Sequence, residues 1–414
     1  MRKDILTYFT LAGIVLITTF LFWSPFILRA TSWFGLNIPN SDFLYIYRHY
    51  DGPLYAVVAK TLYNPWKIES FILDISFDVK YFAAHLPLYP LLVRIFVPLF
   101  NYSQATIFVN LISTMILGVF FHYFVKHFAL TKKPLLLTFV LLMFPRFLVV
   151  RSVGAPESLF MLLLLLSLAF FEKNNLLLAG VFGGLATMTK TPGILLFAAY
   201  ILFFLEKGNV PYVILNGVKN LLRQPRLTWR TLKSNSNELR DPPLIAQADK
   251  KRNWRFLYVL LIPLGLLLVF FIYHIQYNDF FAYFHSGDNI HLVAPFAVFN
   301  SANRWVGNGW LEDVLLYFFL YLTAVIYLKS IKYRSFFYFS LVFFLGTVMV
   351  QHRDIGRYSL PMWPLAAIAF EKFFTSKKFL LVLVLLLPAI YLYAWNFSLQ
   401  NMLPVSDWTS FFSK

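Results

Sequence analysis

The stretch ILTYFTLAGIVLITTFLFWSPFIL, residues 5–28, decides the class of fold. It carries no charged side chain, and as a helix it is long enough to cross the roughly 30 Å hydrocarbon core of a bilayer. Arg2 and Lys3 precede it, which indicates a cytoplasmic amino end. The stretch is longer than the core of a signal peptide, and no small-residue cleavage site follows it. We therefore interpret it as a retained first membrane span.

The chain as a whole is strongly apolar, with 59% hydrophobic, 20% aromatic and only 13% charged residues. A water-soluble domain of this size does not need so much apolar surface, so the excess must face lipid. The sequence predicts an all-α integral membrane protein, a single domain over residues 1–414 with about eleven transmembrane helices. The further spans are predicted at Gln104 to Val125, Pro134 to Val150, Ala155 to Phe171, Leu176 to Thr189, Lys190 to Leu205, Phe256 to Tyr277, Leu311 to Leu328, Ser335 to Val350, Tyr358 to Phe370 and Phe379 to Asn396.

One apolar segment does not fit this count. His85 to Phe100, HLPLYPLLVRIFVPLF, is short, contains three prolines and carries Arg94. It is either a re-entrant or outer-leaflet element, or a full span that breaks the charge rule locally.

The net charge of +17, from 36 basic and 19 acidic residues, lies mostly in segments between the apolar runs. This pattern sets orientation in a membrane and argues against a nucleic-acid-binding face. Two long polar stretches stand out. Residues 208–255 form a predicted basic cytoplasmic loop that lies on anionic lipid. Residues 30–84 form a predicted first outer loop, aromatic and with an acidic motif, where a functional site is expected.

Several chemistries are excluded or disfavoured by what the sequence lacks. Cysteine is absent, which excludes disulfides, thiolate metal sites and cysteine nucleophiles. The eight histidines show no HExxH-type spacing, so we expect no metal cofactor. No Walker A, GxSxG or GxGxxG motif stands in a usable context, which argues against nucleotide-driven chemistry.

The outer loop contains the first candidate residue. Asp51, in Tyr50-Asp51-Gly52, precedes a helix-like stretch from Leu54 to Leu62. A carboxylate there either caps the helix or acts as a general base towards an acceptor hydroxyl. Further along, His85 either binds a phosphate or an acceptor, or caps its segment. Arg94 either belongs to the functional site or only extends its charge to the membrane surface.

Charged residues also lie at the ends of the middle spans. FPRFLVVRSVGAPESLF predicts Arg146, Arg151 and Glu157 close together at the outer surface. Glu157 either stabilises a helix start or binds substrate. Lys190 lies between two short apolar helices, where it either contacts an anion or pairs with a helix-end carbonyl or with Glu157.

The stretch QHRDIGRYSLPMWP, near the end of the chain, concentrates cations between two predicted spans. Cations at the hydrocarbon boundary are suited to holding the phosphate of a lipid, and the alternative is a solvated loop. The candidate substrate-binding residues here are His352, Arg353, Arg357 and Tyr358.

These motifs, taken in order, resemble a known family. YDG, HLPLYPLLVR, PESLF, AGxxGGLAxxTK, NDFFAYFHSGDN and RYxLPxxP are similar to motifs of the polytopic C-type glycosyltransferases, GT-C. The similarity is greatest to the branch of the second mannosyltransferase of GPI-anchor assembly and its prokaryotic relatives. Departures from the family pattern are Tyr50 in place of tryptophan, Lys190 in place of arginine and His85 in place of an aromatic residue.

The resemblance implies an inverting transfer of a sugar, mannose foremost, from a polyprenyl or dolichyl phosphate to a hydroxyl outside the membrane. Asp51 falls on the family's acidic residue proposed as base, and Glu157 falls on a residue that holds acceptor or sugar. The implied partners are the lipid-linked donor, a lipid, glycan or protein acceptor, and membrane lipids, with no nucleic acid. The implied location is the plasma membrane of a prokaryote or the endoplasmic reticulum of a eukaryote.

Two other classes of function fit parts of the sequence. In a lipid or solute transporter, Lys190, Arg151 and Glu157 would line a path across the membrane. No inverted repeat supports that reading. A non-catalytic membrane scaffold is the third alternative.

Overall fold

The computed structural model describes residues 2–71, 77–207, 253–287, 292–300, 308–352 and 354–413. Residues 208–252, which make up nearly all of the predicted basic loop, lie outside the described residues. Within the described residues the chain is almost entirely helical. The α-helices are α1 (Arg2–Ile27), α2 (Leu44–Tyr47), α3 (Gly52–Thr61), α4 (Pro65–Glu69), α5 (Leu88–Phe96), α6 (Tyr102–His127), α7 (Pro134–Leu142), α8 (Pro145–Val150), α9 (Glu157–Glu172), α10 (Leu176–Thr189), α11 (Leu195–Glu206), α12 (Leu261–Tyr277), α13 (Asn308–Leu328), α14 (Arg334–Val348), α15 (Ile355–Tyr358), α16 (Trp363–Ala369), α17 (Glu371–Phe374), α18 (Lys377–Gln400) and α19 (Thr409–Phe412).

Among the described residues, five helices are long and apolar enough to cross a membrane: Ile5–Ile27, Tyr102–His127, Arg255–Tyr277, Leu311–Leu328 and Lys377–Gln400. Three shorter apolar helices accompany them, Leu176–Thr189, Thr191–Glu206 and Arg334–Val348. Large apolar side chains on the long helices point away from the protein and match a lipid-facing surface. The chain is an integral membrane protein, and the count of eleven spans stays a prediction.

The predicted span Pro134 to Val150 is wrong as a single helix, because the structure divides it into α7 and α8. Pro145 lacks the N–H that a continuous helix needs, and Phe144 before it is extended, with ψ of 125°. Side chains satisfy the carbonyls that the break exposes. Trp363 Nε1 donates to Leu141 O at 3.1 Å, and Arg151 Nε donates to Leu142 O at 3.2 Å.

The predicted span Tyr358 to Phe370 is likewise interrupted. It comprises the end of α15, a 3-10 turn at Leu360–Met362, and α16. Pro361 and Pro364 each begin a new element within this stretch, because proline fits the first turn of a helix but not its interior.

The segment from His85 to Phe100 contains only the short helix α5. Its 9 residues extend about 14 Å at 1.5 Å per residue, which is less than half of a hydrocarbon core. This length favours the re-entrant or outer-leaflet alternative. Arg94 Nη1 donates to Ala59 O at 2.9 Å, so this arginine binds the last turn of α3.

Glycines allow α10 and α12 to touch backbone to backbone. A Cβ on Gly265 would lie 2.5 Å from Gly184 O, and a Cβ on Gly184 would lie 2.6 Å from Leu261 O. Real side chains do not fit at such distances, so the two helices approach closely only because these positions are glycine. α10 also packs against α9, and the end of α10, before Lys190, lies beside the start of α9 at Glu157.

The outer loop, residues 30–84, is ordered by short elements. A two-stranded hairpin, β1 (Ser32–Trp33) with β2 (Leu36–Asn37), is followed by α2, α3 and α4 and a 3-10 turn at Val79–Ala84. α3 is buried along nearly all of its length and packs on α5 and α6. The predicted helix from Leu54 to Leu62 therefore exists and begins two residues earlier.

Candidate functional site

Asp51 lies at the mouth of a polar pocket, at the position just before α3. Its side chain makes no capping hydrogen bond to the helix, so the capping alternative does not describe its contacts. One of its carboxylate oxygens, Oδ2, lies 3.0 Å from Nη1 of Arg357. The Asp51 side chain is 33% exposed, which leaves it accessible to a substrate while ion-paired.

Two glycines bring Asp51 close to the loop that precedes Glu157. A Cβ on Gly52 would meet Gly154 O at 3.3 Å, and a Cβ on Gly154 would meet Thr106 Oγ1 at 2.8 Å. The two backbones therefore pack directly against each other with no side chain between them. This contact gives the motifs YDG and VGAPES a shared physical role: they join the outer loop to the start of α9.

Glu157 is the buried centre of the charge cluster and is only 1% exposed. Its Oε1 accepts hydrogen bonds from Lys190 Nζ at 2.8 Å and from Arg357 Nε at 2.7 Å. Glu157 is the first residue of α9, and Lys190 follows the last residue of α10. Each charge therefore also lies at the helix end that favours it. Oε2 of Glu157 has no hydrogen-bond partner among the described residues.

Arg357 connects the two carboxylates, through Nε to Glu157 and through Nη1 to Asp51. Its guanidinium also stands over the ring of Tyr50 at 4.3 Å. Burial acts to raise the pKa of the Asp51 carboxyl, but the charge and hydrogen bond of Arg357, together with His85 and Lys190, outweigh it and hold the pKa below its ordinary value. Asp51 is accordingly charged at neutral pH.

The polar pocket has a volume of about 60 Å³. His85 lies in its wall, and burial lowers the pKa of its imidazole to about 4, so the ring is neutral at pH 7. The ring of Tyr55 meets that of His85 edge-on, with centroids 4.9 Å apart. The lining residues are Asp51, Tyr55, Ala84, His85, Leu86, Thr189, Lys190, Thr191, Pro192, Tyr283, Arg357 and Tyr358.

An apolar cavity of about 430 Å³ adjoins the polar pocket. It lies between α11, α12 and α14 and is lined by side chains such as Leu195, Leu266, Phe270 and Phe343. The two cavities share four lining residues, and Thr191 Oγ1 is hydrogen-bonded to Tyr283 Oη at 2.9 Å on that boundary. The shared residues are Thr191, Pro192, Tyr283 and Tyr358. The site is therefore a charged recess that lies directly beside an apolar cavity.

The structure brings six of the eight predicted site residues to the polar pocket: Asp51, His85, Glu157, Lys190, Arg357 and Tyr358. His352 is not among the lining residues. Its Nδ1 accepts from Asp354 N at 2.9 Å, and its ring contacts Tyr358 with centroids 4.7 Å apart. His352 thus supports Tyr358 from behind. Arg353 lies outside the described residues.

The expectation that Arg151 lies beside Arg146 and Glu157 is wrong. Arg151 points into the bundle, where it donates to Thr18 Oγ1, Thr19 Oγ1 and Leu142 O. The break between α7 and α8 is the physical reason, because the exposed end of α7 binds the guanidinium.

Sequence reasoning named Arg146 but missed its place in a second charged group, on the other side of Tyr50. Arg146 Nη1 donates to Tyr50 Oη at 2.9 Å, and Nη2 lies 3.3 Å from Asp354 Oδ1. Tyr50 therefore lies between two arginines. Tyr55 was also missed, although it follows Asp51 by four residues and such a residue shares a helix face with it.

Among the described residues, no group of three or more His, Cys, Asp or Glu side chains is arranged to hold a metal ion. The carboxylates of the pocket, Asp51 and Glu157, are instead neutralised by the side chains of Arg357 and Lys190. The chemistry available in this pocket is therefore that of a carboxylate base beside two cations.

No family model matches the chain, and no curated protein matches it. Its structure is similar to the crystal structure of ArnT from Cupriavidus metallidurans bound to undecaprenyl phosphate. The TM-score is 0.53 at 11% sequence identity, over 91% of this chain and 62% of ArnT. This chain thus spans less than two thirds of the length of ArnT. The similarity concerns the fold alone: the chain has an all-α fold like that of ArnT, which confirms the all-α class that the sequence predicts.

Proposed function

We propose that the protein is a membrane glycosyltransferase that moves a sugar from a polyprenyl phosphate to a hydroxyl acceptor on the outer face of the membrane. One observation carries the proposal: a carboxylate and two cations converge in a pocket that adjoins an apolar cavity and shares four lining residues with it. A lipid-linked sugar phosphate has parts that complement these: an apolar tail for the cavity, an anionic phosphate for the cations, and a hydroxyl-rich head.

The lipid part of the donor fits the cavity between α11, α12 and α14. Its walls are aliphatic and aromatic. Thr191 and Tyr358, which line both cavities, directly follow Lys190 and Arg357 in the chain. In ArnT, which has a similar fold, the bound ligand is undecaprenyl phosphate. A polyprenyl carrier of that chemical class is therefore the donor lipid that we propose.

The proposed reaction is an inverting displacement. The acceptor oxygen attacks the anomeric carbon while the bond from that carbon to the phosphate oxygen breaks. The acceptor proton passes to Asp51, and the polyprenyl phosphate leaves as a monoester with one additional negative charge. Arg357 and Lys190 stabilise that charge as it develops, which is where electrostatic stabilisation accelerates a reaction most.

The ion pair between Arg357 and Asp51 links donor binding to this step. In the structure both cations are already neutralised by carboxylates, so an arriving phosphate must take donors from one of them. Asp51 is the easier partner to displace, because it is a third exposed and held by a single contact, whereas Glu157 is buried and held by two cations. Phosphate binding would then free Asp51 and raise its pKa, which makes it a better base.

The finer features of the proposal rest on the family resemblance. The sugar would be a neutral hexose, with mannose first, and the acceptor a hydroxyl of a lipid, glycan or protein. Both carboxylates of the pocket are engaged with protein cations, which leaves neutral side chains such as Tyr55, His85 and Thr191 to contact sugar hydroxyls. The reaction as proposed needs no metal or other cofactor.

The test is a cell-free assay with purified protein in vesicles made from a membrane lipid extract, which supplies hydroxyl acceptors, together with polyprenyl-phosphate mannose or polyprenyl-phosphate glucose as the donor. We expect release of polyprenyl phosphate from one of them, with inversion at the anomeric carbon. Asp51→Asn serves as the control, because it keeps the shape of the side chain and removes the base.

Protein that carries either lipid or a solute across the vesicle membrane, but never cleaves the sugar–phosphate bond, would instead support the transporter alternative. Indifference of every activity to the combined loss of Asp51 and Arg357 would support a scaffold.

A further inference from the structure

The 401–413 segment, which follows α18, lies across the outer loop immediately before Asp51. Asn401 O accepts a hydrogen bond from Tyr50 N at 3.0 Å, and Leu403 N donates to Arg48 O at 2.9 Å. His49 and Met402 form an antiparallel bridge between these two bonds. The backbone that carries Asp51 is thus paired, residue for residue, with a distant part of the chain.

Buried side chains fix the rest of the 401–413 segment to the same loop. Val405, Trp408 and Phe411 are buried, and Phe411 packs on Phe71 with ring centroids 5.4 Å apart. Burial of such large apolar side chains stabilises the contact. The segment is therefore a firmly docked part of the fold.

Basic side chains tie the segment to the outer loop on both sides of Asp51. Before it, Arg48 Nη2 donates to Val405 O at 2.9 Å, and its guanidinium lies 5.7 Å from the ring centroid of Trp408. After it, Lys60 Nζ donates to Ser410 O at 2.8 Å, near the end of α3. Both arms that lead to the carboxylate are held by the same short segment.

Tyr50 has an unusual backbone that needs such support. Its φ is +51°, a left-handed conformation that is unfavourable for a residue with a side chain. The bond from Tyr50 N to Asn401 O is made in this conformation. The turn at Tyr50 also aims the next residue, Asp51, at Arg357.

We propose that the 401–413 segment is a positioning element for Asp51, with Leu403 as its key residue through the hydrogen bond to Arg48 O. The proposal rests on the proposed function, because Asp51 acts there as the base. Loss of the bridge would let the turn at Tyr50 relax and move the carboxylate away from the acceptor. Misplacement of a reacting group by about 1 Å is enough to lower a rate by about a hundredfold.

The test compares Leu403→Pro with Leu403→Ala. Proline removes the N–H that binds Arg48 O, and Leu403 already precedes Pro404, so an extended backbone is retained. Alanine removes more of the side chain but keeps the N–H. We expect kcat to fall about tenfold to a hundredfold in Leu403→Pro and less than threefold in Leu403→Ala. The affinity for polyprenyl phosphate should not fall in either variant, because the carrier binds away from the bridge and a displaced Asp51 competes less for Arg357.

Hydrogen exchange without substrate gives a second readout that does not depend on catalysis. The peptide covering residues 44–61 should exchange faster in Leu403→Pro than in Leu403→Ala, whereas peptides from α9 should not change. The double variant Asp51→Asn with Leu403→Pro should be no slower than Asp51→Asn alone, since a positioning element acts through the residue it positions.

Equal exchange of residues 44–61 in the two Leu403 variants would overturn the proposal, whether or not the protein transfers sugar. Equal kcat values, or a further loss in the double variant, would overturn it as well. If the wild-type protein transfers no sugar, the proposed function fails, and the exchange result alone decides whether the segment holds the loop.

Discussion

Two buried arginines of this protein, Arg357 and Arg151, solve the same electrostatic problem in opposite ways. Arg151 is 1% exposed and is surrounded by two threonine hydroxyls and the last carbonyl of α7. Within the described residues it has no carboxylate partner. Arg357 is 11% exposed and is held by two carboxylates at the edge of a pocket.

The difference shows that a buried charge in a membrane protein does not by itself mark a functional site. An ionisable residue within a bundle is a functional hypothesis by default. Here the partners decide between the two cases. Neutral partners and a helix end consume the donors of Arg151 in closing a broken helix, whereas carboxylate partners and an adjoining cavity leave Arg357 able to exchange one anion for another.

The largest effect is expected from Asp51, the exchangeable partner of Arg357. Asp51→Asn should lower kcat by about a hundredfold to ten-thousandfold, the usual contribution of a general base. The measurement is single-turnover transfer in reconstituted membranes, with folding checked by thermal stability. Full activity in a folded Asp51→Asn protein would show that the carboxylate of this pocket is as structural as the partners of Arg151.

A smaller loss is expected when Arg357 keeps its charge and loses its shape. Arg357→Lys places one ammonium where a planar guanidinium contacts both Asp51 and Glu157, so it can no longer bridge them. We expect kcat to fall roughly tenfold to a hundredfold, with a smaller change in donor KM. Arg334→Lys is the matched control, because Arg334 forms an ion pair with Glu206 far along the chain from the pocket. Equal losses in the two variants would contradict a specific role for Arg357.

A change in pH dependence should follow from the same pair. The charge of Arg357 lowers the pKa of Asp51, so kcat/KM of the wild type should stay constant as pH falls until it is below the ordinary aspartate value of about 3.9. In Arg357→Gln the largest lowering influence is gone, and His85 and Lys190 are left to oppose the effect of burial, so the pKa of Asp51 should rise. The acid limb should therefore move to higher pH.

His85 titrates in the same range, with a pKa of about 4, so the profile should be repeated in a His85→Gln background. An acid limb that stays in place in Arg357→Gln, with His85 intact or replaced, would separate Asp51 from the rate.

The smallest catalytic effect is expected at Arg151. Arg151→Met should leave kcat and KM within about twofold, because no atom of Arg151 contacts the pocket in the described structure. It should lower the melting temperature by a few degrees, since Thr19 Oγ1 and Leu142 O lose a donor at about 1–3 kcal/mol each, partly offset by removal of a buried charge. A loss of transfer at unchanged stability would erase the distinction between the two arginines.

The sequence predicted the class of fold, because long uncharged runs have few alternatives to membrane helices. It failed where a run bends: Pro134 to Val150 reads as one span, and only the side chains of Arg151 and Trp363 make its break tolerable. Such partners come from remote parts of the chain and leave no local pattern.

The candidate site divides in the same way. Asp51, Glu157, Lys190 and Arg357 could be singled out as charges at the ends of apolar runs. The pairing of Lys190 with Glu157 was one of the predicted alternatives. The pairing of Arg357 with both carboxylates could not be predicted, because it depends on the close contact of Gly52 with Gly154. Arg146 was expected beside Glu157 and instead contacts Tyr50, since α8 starts afresh at Pro145 and turns its side chains in a new direction.

The glycine contact between α10 and α12 has a consequence for the breadth of substrates the protein can accept. Lys190 follows the end of α10, and Tyr283 follows α12. The residues on both sides of the boundary between the two cavities are therefore positioned by two helices that touch at Gly184 and Gly265. A single methyl group added to either glycine would push the two helices apart and widen the boundary between the two cavities. The width of the proposed site is thus set by two glycines that do not line either cavity.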